Sequence, residues 1–277
     1  MPTLYLSQSG NDSNSGTQSA PLKTLKAAHD KAVDKTATDI LLKRGESFSE
    51  SPFGWYKSGA SLNGLLRIDA WGDPALPKPV INFKSSQGHI FSGIYHPVGV
   101  PFFITDVAFR NLAFKFPEHT VAKIKEAYAL YLAKSQQWHV FYAVCHMQLA
   151  IRLNVKRLFV ENCEFYNSGM MFSGLYNNNI VGNWERATDI NISNNLIREV
   201  FGHYDSLSGN VSESNICGIT LFATDGANLL NNRFIDNGFQ MDWTGVRHNE
   251  THWSNGDYYI DEESRNVNIV NIAGSFD

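Results

Sequence analysis

Asp189-Ile190-Asn191-Ile192-Ser193-Asn194-Asn195-Leu196-Ile197 is the stretch on which the fold turns. Ile190 and Ile192 alternate with polar residues, the period-two pattern of a strand with one buried face. Asn194 then turns the chain, because asparagine tolerates left-handed backbone and bonds to nearby peptide groups. The same pattern recurs at 106–114, 157–165, 226–234 and 266–274, with the central asparagine at Asn111, Asn162, Asn231 and Asn271. Four residues before it stand Val107, Leu158, Ile190, Ala227 and Val267; two before it, Phe109, Val160, Ile192, Leu229 and Ile269. Three after it stand Phe114, Phe165, Ile197, Phe234 and then Gly274. Fourteen of these fifteen positions are apolar, against about six or seven expected from a chain that is 43% hydrophobic.

The asparagines are 51, 32, 37 and 40 residues apart. A unit this short cannot bury its apolar face alone, whereas stacked units bury a continuous core. The repeat therefore predicts an all-β parallel solenoid in which long spacings hold insertions. A helical repeat fails because the apolar spacing is two, and an antiparallel sandwich is the alternative. Identical stacked turns predict an amide ladder through the five asparagines, which accounts for part of the 26 in the chain. Pro21 follows Ser19 and opens a helical pattern over 21–33, with Leu22, Leu25, Ala28 or His29, and Ala32 on one face. Such a helix suits the open N-terminal end of a solenoid. A second pattern, about 118–136, places Val121, Ile124, Tyr128, Tyr131 and Leu132 on one stripe and reads as a helical insertion within a single domain spanning 1–277.

Composition narrows the function classes. With 23 basic and 27 acidic residues the net charge is −4, without the basic excess of a nucleic-acid binder. The chain has no apolar run of about 18 residues, so no helical membrane span is expected. Cys145, Cys163 and Cys217 form neither a disulfide framework nor a zinc motif. Met1-Pro2 leads straight into Leu4-Tyr5-Leu6 with no signal-peptide pattern, read as a protein without a leader or one whose leader a start Met replaced.

Leu4-Tyr5-Leu6-Ser7, Gly10-Asn11-Asp12-Ser13-Asn14-Ser15-Gly16-Thr17, Pro21-Leu22-Lys23-Thr24-Leu25-Lys26-Ala27 and Asp39-Ile40-Leu41-Leu42-Lys43-Arg44-Gly45-Glu46 together resemble the opening of pectin-lyase-like proteins. Residues 228–238 resemble their repeats. The resemblance covers most of the chain. It implies a right-handed parallel β-helix with an N-terminal capping helix, and an extracellular or cell-surface setting. It also implies a polysaccharide lyase or glycoside hydrolase, or else a non-catalytic glycan-binding, adhesin-like or phage-surface module. Fold alone does not choose among these.

Insertions are expected after Ser168-Gly169, Phe201-Gly202 and Asn237-Gly238, emerging on one side of the solenoid. They carry the candidate site. For glycoside hydrolysis two carboxylates must flank the bond; Asp205 and Asp242 are the pair, with Glu185 in reserve. For a lyase, a base beside the uronate carboxylate and a cation are needed; His203, Tyr204, Arg247 and His248 suit those roles. Trp184 and Trp243 are candidate sugar platforms and Asn178 a hydrogen-bonding contact. The adjacent aspartates with Gly-His-Gly of pectin hydrolases and the Asp-Pro-His-Asp of alginate epimerases are absent; His203-Tyr204-Asp205 only echoes the latter. No cofactor is expected. Asp12 and Asn14 offer Ca²⁺ ligands, but their loop lacks a terminal carboxylate and reads as a capping turn. The partner expected is a polysaccharide or oligosaccharide, not a nucleic acid or membrane. Gly274 stands where an apolar residue should close the last repeat, which predicts a homodimer through that end or a longer protein.

Overall fold

The structure, a computed structural model, describes residues 1–50, 53–61, 64–83, 91–93, 102–117, 129, 133, 149–176, 184–203, 217–241, 247–248, 258–271 and 273–275. The alternating residues found in the sequence build the first of three stacks of parallel strands. It runs Thr3–Leu6, Thr38–Lys43, Leu66–Trp71, Ile104–Arg110, the second half of Leu149–Glu161, Ala187–Ser193, Thr224–Leu230 and Arg265–Val270. The second runs Ser47–Glu50, Val80–Phe83, Ala113–Lys115, Glu164–Tyr166, Leu196–Arg198, Arg233–Ile235 and Ala273–Ser275. A third runs Phe53–Gly54, Phe91–Gly93, the first half of Leu149–Glu161, Gly169–Ser173, Ile219–Phe222 and Tyr258–Ile260. From Ala187 onward the chain visits first, second and third stack in turn, then begins again.

Strand register follows the repeat residue for residue. Leu158 pairs with Val107 and Ile190, Ile190 with Ala227, and Ala227 with Val267. Val160 pairs with Phe109 and Ile192, and Ile192 with Leu229, which pairs with Ile269. Phe165 pairs with Phe114 and Ile197, and Ile197 with Phe234, which pairs with Gly274. Through Ala227, Leu229 and Phe234 these columns form the buried core, and Val267 and Ile269, in the last pass, are partly covered.

All five turn asparagines are left-handed, with φ between 52° and 58°. The amide ladder is interrupted, however. Asn162 donates to Asn111 (2.7 Å) and Asn271 to Asn231 (3.1 Å), while no such bond joins Asn194 to either neighbour among the described residues. The continuous bonding lies one residue further on and inside the protein. Asn195 Nδ2 donates to Asn232 Oδ1 (2.9 Å) and to the Val160 carbonyl (2.9 Å), and Asn195 Oδ1 accepts from Cys163 N–H (2.8 Å). A second left-handed column, Asp106, Arg157, Asp189, Gly226 and Asn266, lies five residues before each turn. Pairing skips it, passing from Lys156–Thr188 directly to Leu158–Ile190, so it forms a stacked bulge.

The N-terminal helix spans Leu25–Lys31, starting later than the sequence suggests. Leu22 is drawn into a bridge with Leu6, and the Asp12 carboxylate accepts the N–H groups of Lys23 and Thr24. Thr24 is the N-cap, its hydroxyl accepting from Ala27 N–H at 3.1 Å. Asp12 also accepts from the Thr24 hydroxyl, and Asn14 donates to the Pro21 carbonyl, so the proposed Ca²⁺ ligands shape the turn before the helix. Of the insertion at about 118–136 only Ala129 and Ala133 are described, both helical. Among the described residues no helix is long and apolar enough to cross a membrane.

Candidate functional site

Gly169–Ser173 is a strand of the third stack and not the start of an insertion. Two glycines bracket it. A side chain at Gly169 would meet the Cys217 carbonyl at 2.4 Å, and one at Gly174 the Glu185 carbonyl at 2.4 Å and the Ala223 carbonyl at 2.9 Å. Gly174 therefore lets the chain leave the sheet as a small hairpin, in which Tyr176 pairs with Trp184 and Leu175 with Glu185. The other two insertions leave elsewhere. Phe201–His203 pairs with Phe239–Met241, which pairs antiparallel with Arg247–His248, in a separate three-stranded sheet between the second and third stacks. The described parts of the three insertions thus adjoin the two ends of the third stack's strands, and do not leave at one corner. Strands of four or five residues separate them, roughly 15 Å at the usual rise.

Between those flanks lies the outward face of the third stack. Ile151 and Leu153, Met170 and Phe172, and Ile219 and Leu221 point into the core. Alternation puts the row Arg152, Met171, Thr220 and Tyr259 on the opposite face, all in register. Met171 and Thr220 are buried, and Arg152 and Tyr259 half-buried. The next row holds Asn154, Ser173 and Phe222; Ser173 donates to Asn154 Oδ1 at 2.7 Å, and the Phe222 ring meets Tyr259 edge-on at 5.5 Å. Burial, aided by the Asp261 and Glu262 carboxylates, raises the Tyr259 phenol above its ordinary value. At neutral pH it is a hydrogen-bond donor and a poor base. The Thr220 hydroxyl is buried with no hydrogen-bond partner among the described residues.

The candidate residues distribute unevenly over this frame. Trp184 and Glu185 stand on the hairpin rim, both half-buried. Glu185 is engaged: Lys156 Nζ lies 2.6 Å from its Oε1 and 4.2 Å from the centroid of the Phe103 ring. Next to it Arg186 pairs with Glu263 at 3.1 Å. On the opposite flank His203 is opposite Met241, which is opposite Arg247, while His248 is opposite Gln240. His203 and Arg247 thus share one row of the small sheet. Asp205, Asp242, Tyr204, Trp243 and Asn178 lie outside the described residues. Among the described residues no three His, Cys, Asp or Glu side chains converge as a metal site.

Sequence reasoning misses the row Arg152, Thr220 and Tyr259 and the cation Lys156. The signal is present in Leu149-Ala150-Ile151-Arg152-Leu153-Asn154, where Arg152 interrupts an apolar run in the register of a strand's other face.

No protein-family model matches the chain, and no curated protein matches it. Among solved structures, the native GH136 lacto-N-biosidase from Eubacterium ramulus is similar over 98% of this chain and 51% of its own, with a TM-score of 0.53 and 11% identity. The likeness is one of fold. The selenomethionine derivative of that protein matches over 85% of this chain and 52% of its own (TM-score 0.49, 12% identity). A rhamnogalacturonan lyase matches over 100% and 63% (TM-score 0.47, 11% identity). The chain thus spans about half to three-fifths of the length of these neighbours. The likeness agrees in fold with what the opening segments and the repeat imply, and it extends to fold alone.

Proposed function

We propose that the chain is a right-handed parallel β-helix that acts on a polysaccharide or oligosaccharide along the outward face of its third stack, as a lyase or a glycoside hydrolase. Support for the helix comes from successive passes pairing in one register, and the hand follows from the near-universal right-handedness of parallel crossovers. The observation that carries the functional reading is the framing of one sheet face by insertions at both strand ends. Phe222 and Tyr259, both half-buried, offer apolar ring surface for sugar faces, and half-buried Arg152 and Ser173 lie in the same rows. In this reading Asp205 and Asp242 are the acid and the base or nucleophile of a hydrolase. His203, Tyr204, Arg247 and His248 are the base and cation of a lyase. Trp184 and Trp243 stack on sugar rings, and Asn178 bonds to hydroxyls. Glu185, held by Lys156, fits a binding rim better than a catalytic carboxylate. The setting fitting such a substrate is extracellular or the cell surface.

The test is a screen against uronate-rich and neutral polysaccharides. A new ultraviolet chromophore from an unsaturated uronate marks a lyase, and reducing ends without it mark a hydrolase. Asp205→Ala and Asp242→Ala should abolish that activity while leaving the fold intact. If both variants remain fully active, this site is wrong. Binding without turnover would favour the non-catalytic glycan-binding module, a reading that the engagement of Glu185 by Lys156 supports.

A further inference from the structure

The N-terminal helix, Leu25–Lys31, is held differently from the strands around it. Those strands are joined by backbone ladders, and the preceding loop also bonds through backbone: Tyr5 N–H to the Gly16 carbonyl (2.8 Å) and Leu22 N–H to the Tyr5 carbonyl (2.8 Å). Residues 23–37 make no backbone–backbone hydrogen bond to a strand among the described residues. Side chains anchor them instead. Asp12 accepts from the N–H groups of Lys23 and Thr24 (both 2.9 Å), and buried Glu50 from Leu25 N–H (2.8 Å). Past the last turn Asp34 accepts from Ser58 N–H (2.8 Å), and Lys57 Nζ donates to the carbonyls of Asp30 (3.2 Å) and Ala32. Apolar contact with the core rests on Leu25 and two alanines, Ala28 and Ala32. A helix of seven residues does not persist alone in water, so these contacts decide whether it forms.

His29 stands at the centre of that set. Its side chain is 1% exposed, with the Trp55 ring 4.9 Å away and the Tyr56 ring edge-on at 4.4 Å. The charged groups that act on it are Lys57, from the segment 55–58, and Asp30 and Lys26 from its own helix. Asp30 Oδ1 lies 3.3 Å from Nδ1, but that carboxylate is about half exposed and is shared with Lys26 Nζ at 2.5 Å. Lys57 is buried, its ammonium fixed on carbonyls at the end of the helix. A charged imidazole would therefore share a buried pocket with a second cation.

We propose that residues 23–37 are an acid-released cap: a proton on His29 ejects the helix from the solenoid while the strands of the three stacks stay paired. Ejection returns the imidazolium to water and leaves the part of the core beneath Leu25, Ala28 and Ala32 uncovered as an apolar patch. The strands hold because their ladders use none of the residues that leave. Segments with few buried apolar contacts open locally at a lower cost than the whole domain. The docked ring takes a proton only at about pH 4, because burial and the Lys57 charge oppose it, whereas a released ring does so at 6.5. Opening is therefore least favoured above pH 6.5 and increasingly favoured as the pH falls from 6.5 to 4. Nothing here depends on the glycan reading, because only the contacts of the cap enter.

The test is amide hydrogen exchange of the full 277-residue chain, read residue by residue at pH 7 and pH 4 and corrected for intrinsic rates. The Ala28 and Ala32 amides, bonded at 3.2 and 2.9 Å within the helix, report the cap. Their protection should fall by about a hundredfold, since each unit between 6.5 and 4 is worth a factor of ten and the docked ring is half protonated at the lower limit. Amides of Ala187–Ser193 should keep theirs. His29→Phe keeps a ring between Trp55 and Tyr56 but cannot take a proton, so its helix protection should stay level over the same range. Equal losses in helix and strand of the wild type would mean global unfolding and overturn the proposal. So would a helix that keeps its protection at pH 4, or a loss that His29→Phe leaves unchanged.

Discussion

The Phe165 ring lies flat on that of Phe114, with centroids 4.8 Å apart and planes 14° from parallel. The two residues are 51 positions apart in sequence yet directly opposite in adjacent strands of the second stack. Both are fully buried, so the contact joins two successive passes of the chain through the core. Phe165→Ala should cost about 3–5 kcal/mol in a urea titration, the usual range for deleting a buried phenyl ring. Phe165→Leu should cost clearly less. A loss near zero for Phe165→Leu would show that filled volume, and not the stacked ring contact, is what the site needs.

The turn asparagines and the buried ones should respond in opposite ways. Asn194 is exposed and left-handed (φ 58°), so Asn194→Gly should be nearly neutral, within about 1 kcal/mol. Asn195→Ala removes the partners of the Cys163 N–H, the Val160 carbonyl and Asn232 inside the core, and should cost at least 3 kcal/mol or so. Chemical denaturation of the two variants side by side decides it. A larger loss for Asn194→Gly would reverse the assignment.

Gly174→Ala should damage the rim more than the core. The added methyl would sit 2.4 Å from the Glu185 carbonyl, so the hairpin must shift. If Trp184 lines the proposed groove, glycan affinity should fall at least tenfold with only a modest drop in melting temperature. Affinity unchanged by calorimetry would remove the hairpin from the site.

Lys156→Met breaks the pair with Glu185, but both side chains are one-third or more exposed, so the stability change should stay below about 1 kcal/mol. Freed of its cation, Glu185 should gain nothing if its place is the rim. A Glu185→Gln variant that loses all turnover would promote it to a catalytic carboxylate.

Stability should also fall in mild acid because of His29. Burial, then the Lys57 charge, outweighs the Asp30 contact and lowers its pKa from 6.5 to about 4. The unfolded chain therefore binds the proton more readily than the folded one. The contribution is fully present above pH 6.5 and is lost as pH falls towards 4, amounting to about 3 kcal/mol. Denaturant midpoints measured across that window should decline, and His29→Phe should flatten the decline. A profile unchanged by the substitution would place the acid sensitivity elsewhere.

Legibility in the sequence tracks how many faces a strand buries. Ile190 and Ile192, Ala227 and Leu229, and Val267 and Ile269 alternate with asparagines because these passes of the first stack have a wet outer face, so their columns align from the residue pattern alone. Gly169-Met170-Met171-Phe172-Ser173 and Ile219-Thr220-Leu221-Phe222 are buried on nearly both faces and carry no alternation. That is why the first reads as an insertion and the third stack stays hidden in the sequence, and with it the row Arg152, Thr220 and Tyr259. The repeat places the amide ladder one residue off for a related reason. Asn194 and Asn195 look alike in sequence, and only packing assigns one to the turn and the other to the core.

Local sequence alone determined the all-β class, the turn positions and the register of the first and second stacks. Each of these depends on alternation and backbone preference within about nine residues. Tertiary structure decided where the insertions leave and which face they frame, and that Lys156 rather than solvent meets Glu185. Those relationships join residues from different passes, 29 positions apart for Lys156 and Glu185, and no local pattern encodes a distance between passes until they stack.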